Sequence, residues 1–395
     1  MRRYLTVENL TLVGILLGAL FGIYFPEAAL QQKILGDIFI SLLKMLIMPL
    51  IFAAVFVAVV GLGSIERLKR MGIRVIGFYL FSTSLAVLMG MTVMQIIDPG
   101  SSAPAPTQLI EPKELMPGDL ILSVFPSNIF ASLTSGKALQ VIFFAIIFAV
   151  AMLYVAREKR DVAQKFFEAV NDAMIVIASW VVKLTPIGVF SIISYVIAKE
   201  GIDALLELWE YALCVVLALL LHATLTLPAV AMLIGRFNAW GYFMKVKEAV
   251  LLAFSTASSA ASIPVSMDRA EKAGGVSKES AGFVIPLGAT INMDGTALYE
   301  SIAVMFIANL AGVDLSFSQQ LLIFITATFT SIGVAGIPGA SIVMLTMILG
   351  IIGLPLEYIG VILVVDRVLD MFRTAVNVWG DLVAAKTIDR FVANP

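Results

Sequence analysis

Residues 364–381 read Val364-Val365-Asp366-Arg367-Val368-Leu369-Asp370-Met371-Phe372-Arg373-Thr374-Ala375-Val376-Asn377-Val378-Trp379-Gly380-Asp381. The run around them is apolar enough to span a bilayer, yet from Asp366 to Asp381 it carries three aspartates and two arginines. A charge at mid-membrane costs about 2.5–3.5 kcal/mol on insertion scales, so this density needs a compensating role. At roughly 100° per residue, Asp366, Asp370, Arg373, Asn377 and Asp381 fall within an arc of about 80° on one helix face. A polar stripe sunk in a membrane reads as an ion or substrate site.

The remainder of the chain supplies the membrane context. Of 395 residues, 60% are hydrophobic and 14% charged, and mean hydropathy is +0.99. A soluble domain of this length is excluded, and an all-α polytopic membrane protein is predicted. Apolar spans fall near 8–25, 36–62, 73–97, 138–156, 170–198 and 205–235. Basic residues crowd every second connection: Arg2 and Arg3, then Arg67, Lys69, Arg70 and Arg74, then Arg157, Lys159, Arg160 and Lys165, then Arg236, Lys245 and Lys247. By the positive-inside rule both termini are expected in the cytoplasm. Met1-Arg2-Arg3 leads into the first span without a small-residue cleavage site, which predicts a retained helix. The Pro/Ser-rich run from Pro99 to Pro117 reads as a flexible extracytoplasmic connection. The single cysteine, Cys214, excludes an intrachain disulfide and reads as a packing residue.

Beyond residue 240 the pattern changes. Residues 249–266 are short, rich in Ser and Ala, and interrupted by Pro264, while 320–352 place apolar flanks around Thr330-Ser331-Ile332-Gly333-Val334-Ala335-Gly336-Ile337-Pro338-Gly339. Each reads as a re-entrant hairpin, with tips at Ser262-Ile263-Pro264 and Gly336-Ile337-Pro338. Non-helical backbone at membrane depth survives only where protein or a water-filled cavity satisfies its polar groups. Two such segments in corresponding positions, each preceding a long helix (281–310 and 356–390), point to a secondary transporter with inverted repeats.

Residues 288–296 read Gly-Ala-Thr-Ile-Asn-Met-Asp-Gly-Thr, and poor helix formers at mid-span predict unwinding there. Unwinding frees carbonyl oxygens beside Asp294, a donor set that suits a hard cation such as Na⁺. Asp381 offers a second carboxylate of the same kind. Arg373 admits two readings. Asp366 or Asp370 could hold it permanently as a buried ion pair. Alternatively these charged groups stay without protein partners until cargo arrives. Arg373 then takes a substrate carboxylate on its planar fork, Asp370 and Thr374 take an ammonium, and Asn377 takes a second carboxylate. His222 reads as a hydrogen-bonded packing residue, and the four tryptophans as membrane packing and interfacial anchors. An intramembrane serine protease lacks a Gly-x-Ser-Gly motif, and an aspartyl one lacks Gly-x-Gly-Asp, since residues 378–381 read Val-Trp-Gly-Asp.

Asn292-Met293-Asp294-Gly295-Thr296, the Ala335–Gly339 tip and Asp370–Asp381 closely resemble the dicarboxylate/amino acid:cation symporter family, which includes excitatory amino acid transporters and archaeal aspartate transporters. The resemblance covers essentially the whole chain. It implies eight transmembrane helices, two re-entrant hairpins, a homotrimer and an elevator movement, in the cell membrane and among its lipids. It divides the chain into scaffold (1–69 and 119–200) and transport domain (70–118 and 201–395). It implies import of L-aspartate and/or L-glutamate coupled to Na⁺, with proton-coupled or C4-dicarboxylate transport as the alternative, and with no enzyme activity, organic cofactor or nucleic acid. Substrate contacts would come from Arg373, Asp370, Thr374, Asn377 and Thr296, from Ser258 and Ser259, and from Ala335, Gly336 and Gly339. One sodium site would use Asp381, Asn377, Gly288 and Asn292. A second would use Asp294 and Asn292 with Tyr79, Ser82 and Thr83. A third would use Thr290 with Ser331, Ile332 and Val334. Two positions depart from the family pattern. The first hairpin reads Ala257-Ser258-Ser259-Ala260 in place of a longer serine run, and the second arginine of many members is absent, with Ala257 and Met371 at its two usual places.

Overall fold

The computed structural model describes residues 7–61, 71–100, 124–200, 208–330 and 340–393, and every regular element among them is helical. The helices are α1 (Val7–Tyr24), α2 (Pro26–Gln31), α3 (Lys33–Val60), α4 (Ile73–Ile97), α5 (Ile129–Thr134), α6 (Ala138–Tyr154), α7 (Arg157–Val182) and α8 (Thr185–Glu200). A continuous span α9 (Leu208–Gly235) follows. After it come α10 (Ala239–Thr256), α11 (Ser259–Lys272), α12 (Lys278–Ile291), α13 (Asp294–Leu310), α14 (Phe317–Thr330), α15 (Ala340–Ile352) and α16 (Ile359–Ala393).

Two of these, α4 and α9, are long and apolar enough to cross a membrane by length and composition alone. On α9 the outer face shows what that means. Leu213, Leu217 and Leu220 are 52%, 40% and 48% exposed, while Tyr211, Cys214, Val215 and Ala218 on the opposite face are buried. A leucine stripe facing outward at helical spacing suits lipid, not water. Cys214 is buried and unbridged, as its sequence setting predicts.

The expected single span over 170–198 is instead a bent pair, Arg157–Val181 and Thr185–Lys199, at 54° to each other. Pro186 explains the break. It has no N–H to continue the ladder, and it disfavours helical geometry in the residue before it. The first hairpin is present, but its tip lies at Ala257–Ser258, not at Ser262-Ile263-Pro264. Ala257 takes φ 49, closing α10, and the Ser258 hydroxyl accepts from Ala261 N–H to start α11. Pro264 lies inside α11. Helices α14 and α15, which flank the expected second hairpin tip, pack on each other. That tip, with Ser331, Ile332, Val334, Ala335, Gly336 and Gly339, falls outside the described residues, as does most of the Pro99–Pro117 connection.

The helices α1, α3, α6, α7 and α8 pack on one another. Helix α16 is central to the rest, meeting α10, α11, α12, α13 and α9, while α4 lies along α13. Close approach of α1 to α8 depends on Gly14, Gly18 and Gly22. A Cβ on each would come within 2.5, 2.7 and 2.6 Å of the carbonyls of Pro186, Phe190 and Ser194. Small residues let membrane helices approach this closely. We predict that Gly18→Leu destabilises the protein by about 1–3 kcal/mol through overpacking. Gly77→Ala, where a Cβ meets nothing within 4 Å, serves as the silent control. Thermal unfolding in detergent compares them, and equal midpoints would contradict the packing assignment.

Candidate functional site

The expected unwinding occurs where the poor helix formers sit. Helix α12 ends at Ile291, Asn292 takes φ −90 and ψ 91, Met293 takes φ −115 and ψ 48, and α13 restarts at Asp294. Asp294 thus stands in the first turn of α13, where its charge favours the helix N-terminus. Three glycines let this break approach α16 and α4. A Cβ on Gly295 would lie 2.5 Å from the Arg373 carbonyl, and one on Gly380 would lie 2.7 Å from Asn292 Nδ2 and 3.1 Å from Asp294 Oδ2. A Cβ on Gly288 would strike Asp381 Oδ1 at 2.2 Å and the Tyr79 hydroxyl at 2.5 Å.

Around the break two carboxylates are fully wrapped. Asp294 accepts from Ser82 Oγ at 2.5 Å and Thr83 Oγ1 at 2.7 Å, and His222 Nε2 lies 3.3 Å from its Oδ2. The carboxylate accepts, so the imidazole proton is assigned to Nε2. Asp381 Oδ1 accepts from Asn292 Nδ2 at 2.9 Å, and the Tyr79 hydroxyl donates to the Val284 carbonyl at 2.9 Å. Asn377 Oδ1 accepts from Gly295 N–H at 2.7 Å, while its Nδ2 faces Thr296 Oγ1 at 3.3 Å. No three Asp, Glu, His or Cys side chains converge among the described residues. The oxygens gathered here are hydroxyl, amide, carbonyl and single-carboxylate oxygens, a set for a hard cation.

Arg373 is fully buried. Its Nη2 donates to Asp370 Oδ1 at 2.9 Å, its Nη1 lies 3.0 Å from Asp366 Oδ1, and its Cζ sits 3.9 Å over the Tyr299 ring. The guanidinium is therefore already partnered, contrary to the reading in which it stays free until cargo arrives. Spacings of three and seven residues along one helix bring both aspartates onto its face. The pairing is incomplete. Nε and Nη1 have no aligned hydrogen-bond acceptor, and neither does Asp366 Oδ1 an aligned donor. A planar donor pair thus remains for a carboxylate that displaces Asp366.

Other expected residues are engaged locally. Thr374 Oγ1 donates to the Asp370 carbonyl at 2.8 Å. Thr290 is exposed and donates to the Leu287 carbonyl at 2.9 Å, away from both wrapped carboxylates. Ser259 is buried at the hairpin turn, beside the helix-capping Ser258. His222, expected as a hydrogen-bonded packing residue, is buried and bonded to Asp294. Two further residues carry no expectation from the sequence. Tyr299 carries the guanidinium on its ring. Glu300 is fully buried with neither carboxyl oxygen in an aligned hydrogen bond, and its polar neighbours are Arg373 and Thr330. The mid-membrane cost of charge that singled out Asp366–Asp381 applies equally to Glu300.

A bundle of membrane-type helices, with the break between Ile291 and Asp294 placing buried carboxylates among oxygen donors, fits a membrane transporter. The chain belongs to the sodium:dicarboxylate symporter family, whose model matches residues 9–391. It is 34% identical to a proton/sodium-glutamate symport protein of Bacillus caldotenax, over 94% of this chain and 91% of that protein. It is also 34% identical to a proton/glutamate-aspartate symporter of Escherichia coli (strain K12), over 90% and 84%. A C4-dicarboxylate transport protein of Bacillus subtilis (strain 168) is 30% identical over 98% and 94%.

We predict that, if Asp381 holds a cation, Gly288→Ala, whose Cβ would displace the Asp381 carboxylate, weakens that binding about tenfold or more. The sodium-dependent thermal shift measures this, and an unchanged sodium dependence would refute the placement.

Proposed function

We propose that this chain imports L-aspartate and/or L-glutamate across the cell membrane, with Na⁺ as the coupled ion. The observation that carries the proposal is a charge imbalance. Among the described residues, Asp294, Asp366, Asp370, Asp381 and Glu300 are buried or nearly so, against one buried guanidinium and one buried imidazole. Each unbalanced buried ion costs several kcal/mol, so a further anion can enter only with cations. Arg373 takes the substrate side-chain carboxylate, Asp370 its ammonium with Thr374 alongside, and Asn377 its main-chain carboxylate beside Thr296. Ser258, Ser259 and residues Ala335–Gly339 close over it. Asp294 with Ser82, Thr83, Asn292 and Tyr79 holds one sodium, and Asp381 with Asn377 and the Gly288 and Asn292 carbonyls holds another. Sodium here is cargo, released after each cycle. Residues 70–118 and 201–395 move as the transport domain against 1–69 and 119–200, in a homotrimer. The mutual packing of α1, α3, α6, α7 and α8 supports this division, and contacts of α3 with α15, α8 with α16 and α6 with α14 join the two groups.

An amine on the substrate is favoured over a plain C4-dicarboxylate because Asp370 would otherwise face two further carboxylates. Proton coupling is the second reading, and Glu300 supports it as a fully buried carboxyl with no aligned hydrogen-bond partner among the described residues. In proteoliposomes an inward sodium gradient should drive aspartate accumulation, and equal accumulation without it would reject the coupling. Arg373→Cys should cost acidic substrates about 2–5 kcal/mol of binding, and undiminished aspartate affinity would refute the role of Arg373. On the second reading an imposed pH gradient stimulates wild-type uptake and leaves Glu300→Gln unmoved. Equal stimulation of both would remove Glu300 from the cycle.

A further inference from the structure

Span α9 contains a proline whose consequences reach the candidate cation site. Pro228 has no N–H, so a carbonyl four or five residues before it loses its donor. The helix answers by widening. His222–Thr226 forms a π-turn in which Leu227 N–H bonds back to the His222 carbonyl. Such turns occur mostly singly and often at functional sites. The carbonyl of Ala223, whose donor five residues on would be Pro228, accepts instead from Trp379 Nε1 at 3.2 Å. The indole is buried on α16, between Asn377 and Asp381 in sequence, and α10 holds it with Phe243 edge-on at 5.2 Å and Tyr242 at 6.1 Å.

His222 precedes Ala223 and projects from this widened turn to within 3.3 Å of Asp294 Oδ2. Among the described residues its Nδ1 has no hydrogen-bond partner, and the turn and the contact with Asp294 orient the ring. We propose that Trp379 is a positioning residue for the Asp294 cation site: its indole N–H holds the π-turn that aims His222 at the carboxylate. The sequence reading treated this tryptophan as packing or interfacial anchoring, whereas the structure makes it a hydrogen-bond donor to backbone at membrane depth. Groups that orient a metal ligand without touching the ion typically change affinity by about 10–100-fold. This inference rests on the reading of Asp294 as a sodium ligand.

The test is sodium activation of aspartate uptake in proteoliposomes. It compares wild type, Trp379→Phe and a chain with 3-benzothienylalanine at 379, which keeps the ring shape but lacks the N–H. Both variants should raise the half-activating sodium concentration about tenfold. Aspartate half-saturation at saturating sodium and the thermal midpoint of the benzothienyl chain should stay within about twofold and a few degrees of wild type. In a His222→Ala background the substitution at 379 should add no further shift. An unchanged sodium half-activation in the folded benzothienyl chain would overturn the proposal alone, as would a full additional shift in the His222→Ala background. A wild-type protein without sodium dependence would overturn the functional reading and this inference with it.

Discussion

The structure depends on a deficit of positive charge in its interior. Five carboxyl groups are buried or nearly so: Asp366, Asp370 and Glu300 lie about Arg373, Asp294 beside His222, and Asp381 against Asn292. In a soluble protein such groups would lie at the surface, because an uncompensated buried ion costs several kcal/mol. Here the protein compensates in part and by unequal means. Asp294 and Asp381 are wrapped by hydroxyl, imidazole and amide donors. Asp366 and Asp370 share one guanidinium, and Glu300 has no aligned partner. What the protein leaves uncompensated, cations can supply, and this makes the movement of an acidic solute conditional on them.

That arrangement requires a backbone that can break inside a helix bundle. The gap between Ile291 and Asp294 gives Asn292 and Met293 non-helical dihedrals, and the three glycines at 288, 295 and 380 leave no side chain between the break and its neighbours. The same logic recurs in α9, where the proline and the π-turn leave one carbonyl for Trp379. At both irregularities a side chain from α16 meets the backbone: Asn377 accepts from Gly295 N–H, and Trp379 donates to the Ala223 carbonyl. The paired guanidinium fits this economy. The arginine is held by two aspartates and a tyrosine ring, and in the proposed binding step a substrate carboxylate would replace Asp366 without leaving a buried cation bare.

Much of this was legible in the residues themselves. The charge stripe from Asp366 to Asp381 has helical spacing, and the structure places it on one continuous helix, α16. The poor helix formers at 292–296 located the break to within a residue or two. What the sequence concealed was tertiary. The bend near Pro186 and the turn at Ala257 depend on single backbone torsions that apolar composition does not encode, so a continuous span and a proline-centred tip were the natural readings. The contact of His222 with Asp294 joins residues 72 positions apart through a π-turn, and no periodicity signals that geometry. Glu300 was readable, since a carboxylate in the middle of α13 carries the same membrane cost as the aspartates of α16.

The most direct test of the account is calorimetric titration of L-aspartate into the purified protein across a series of sodium concentrations at fixed pH, repeated at a second pH. If buried carboxylates make the acidic solute dependent on its cations, log affinity rises with log sodium concentration until the cation sites saturate. Affinity that is independent of both sodium and pH would contradict it.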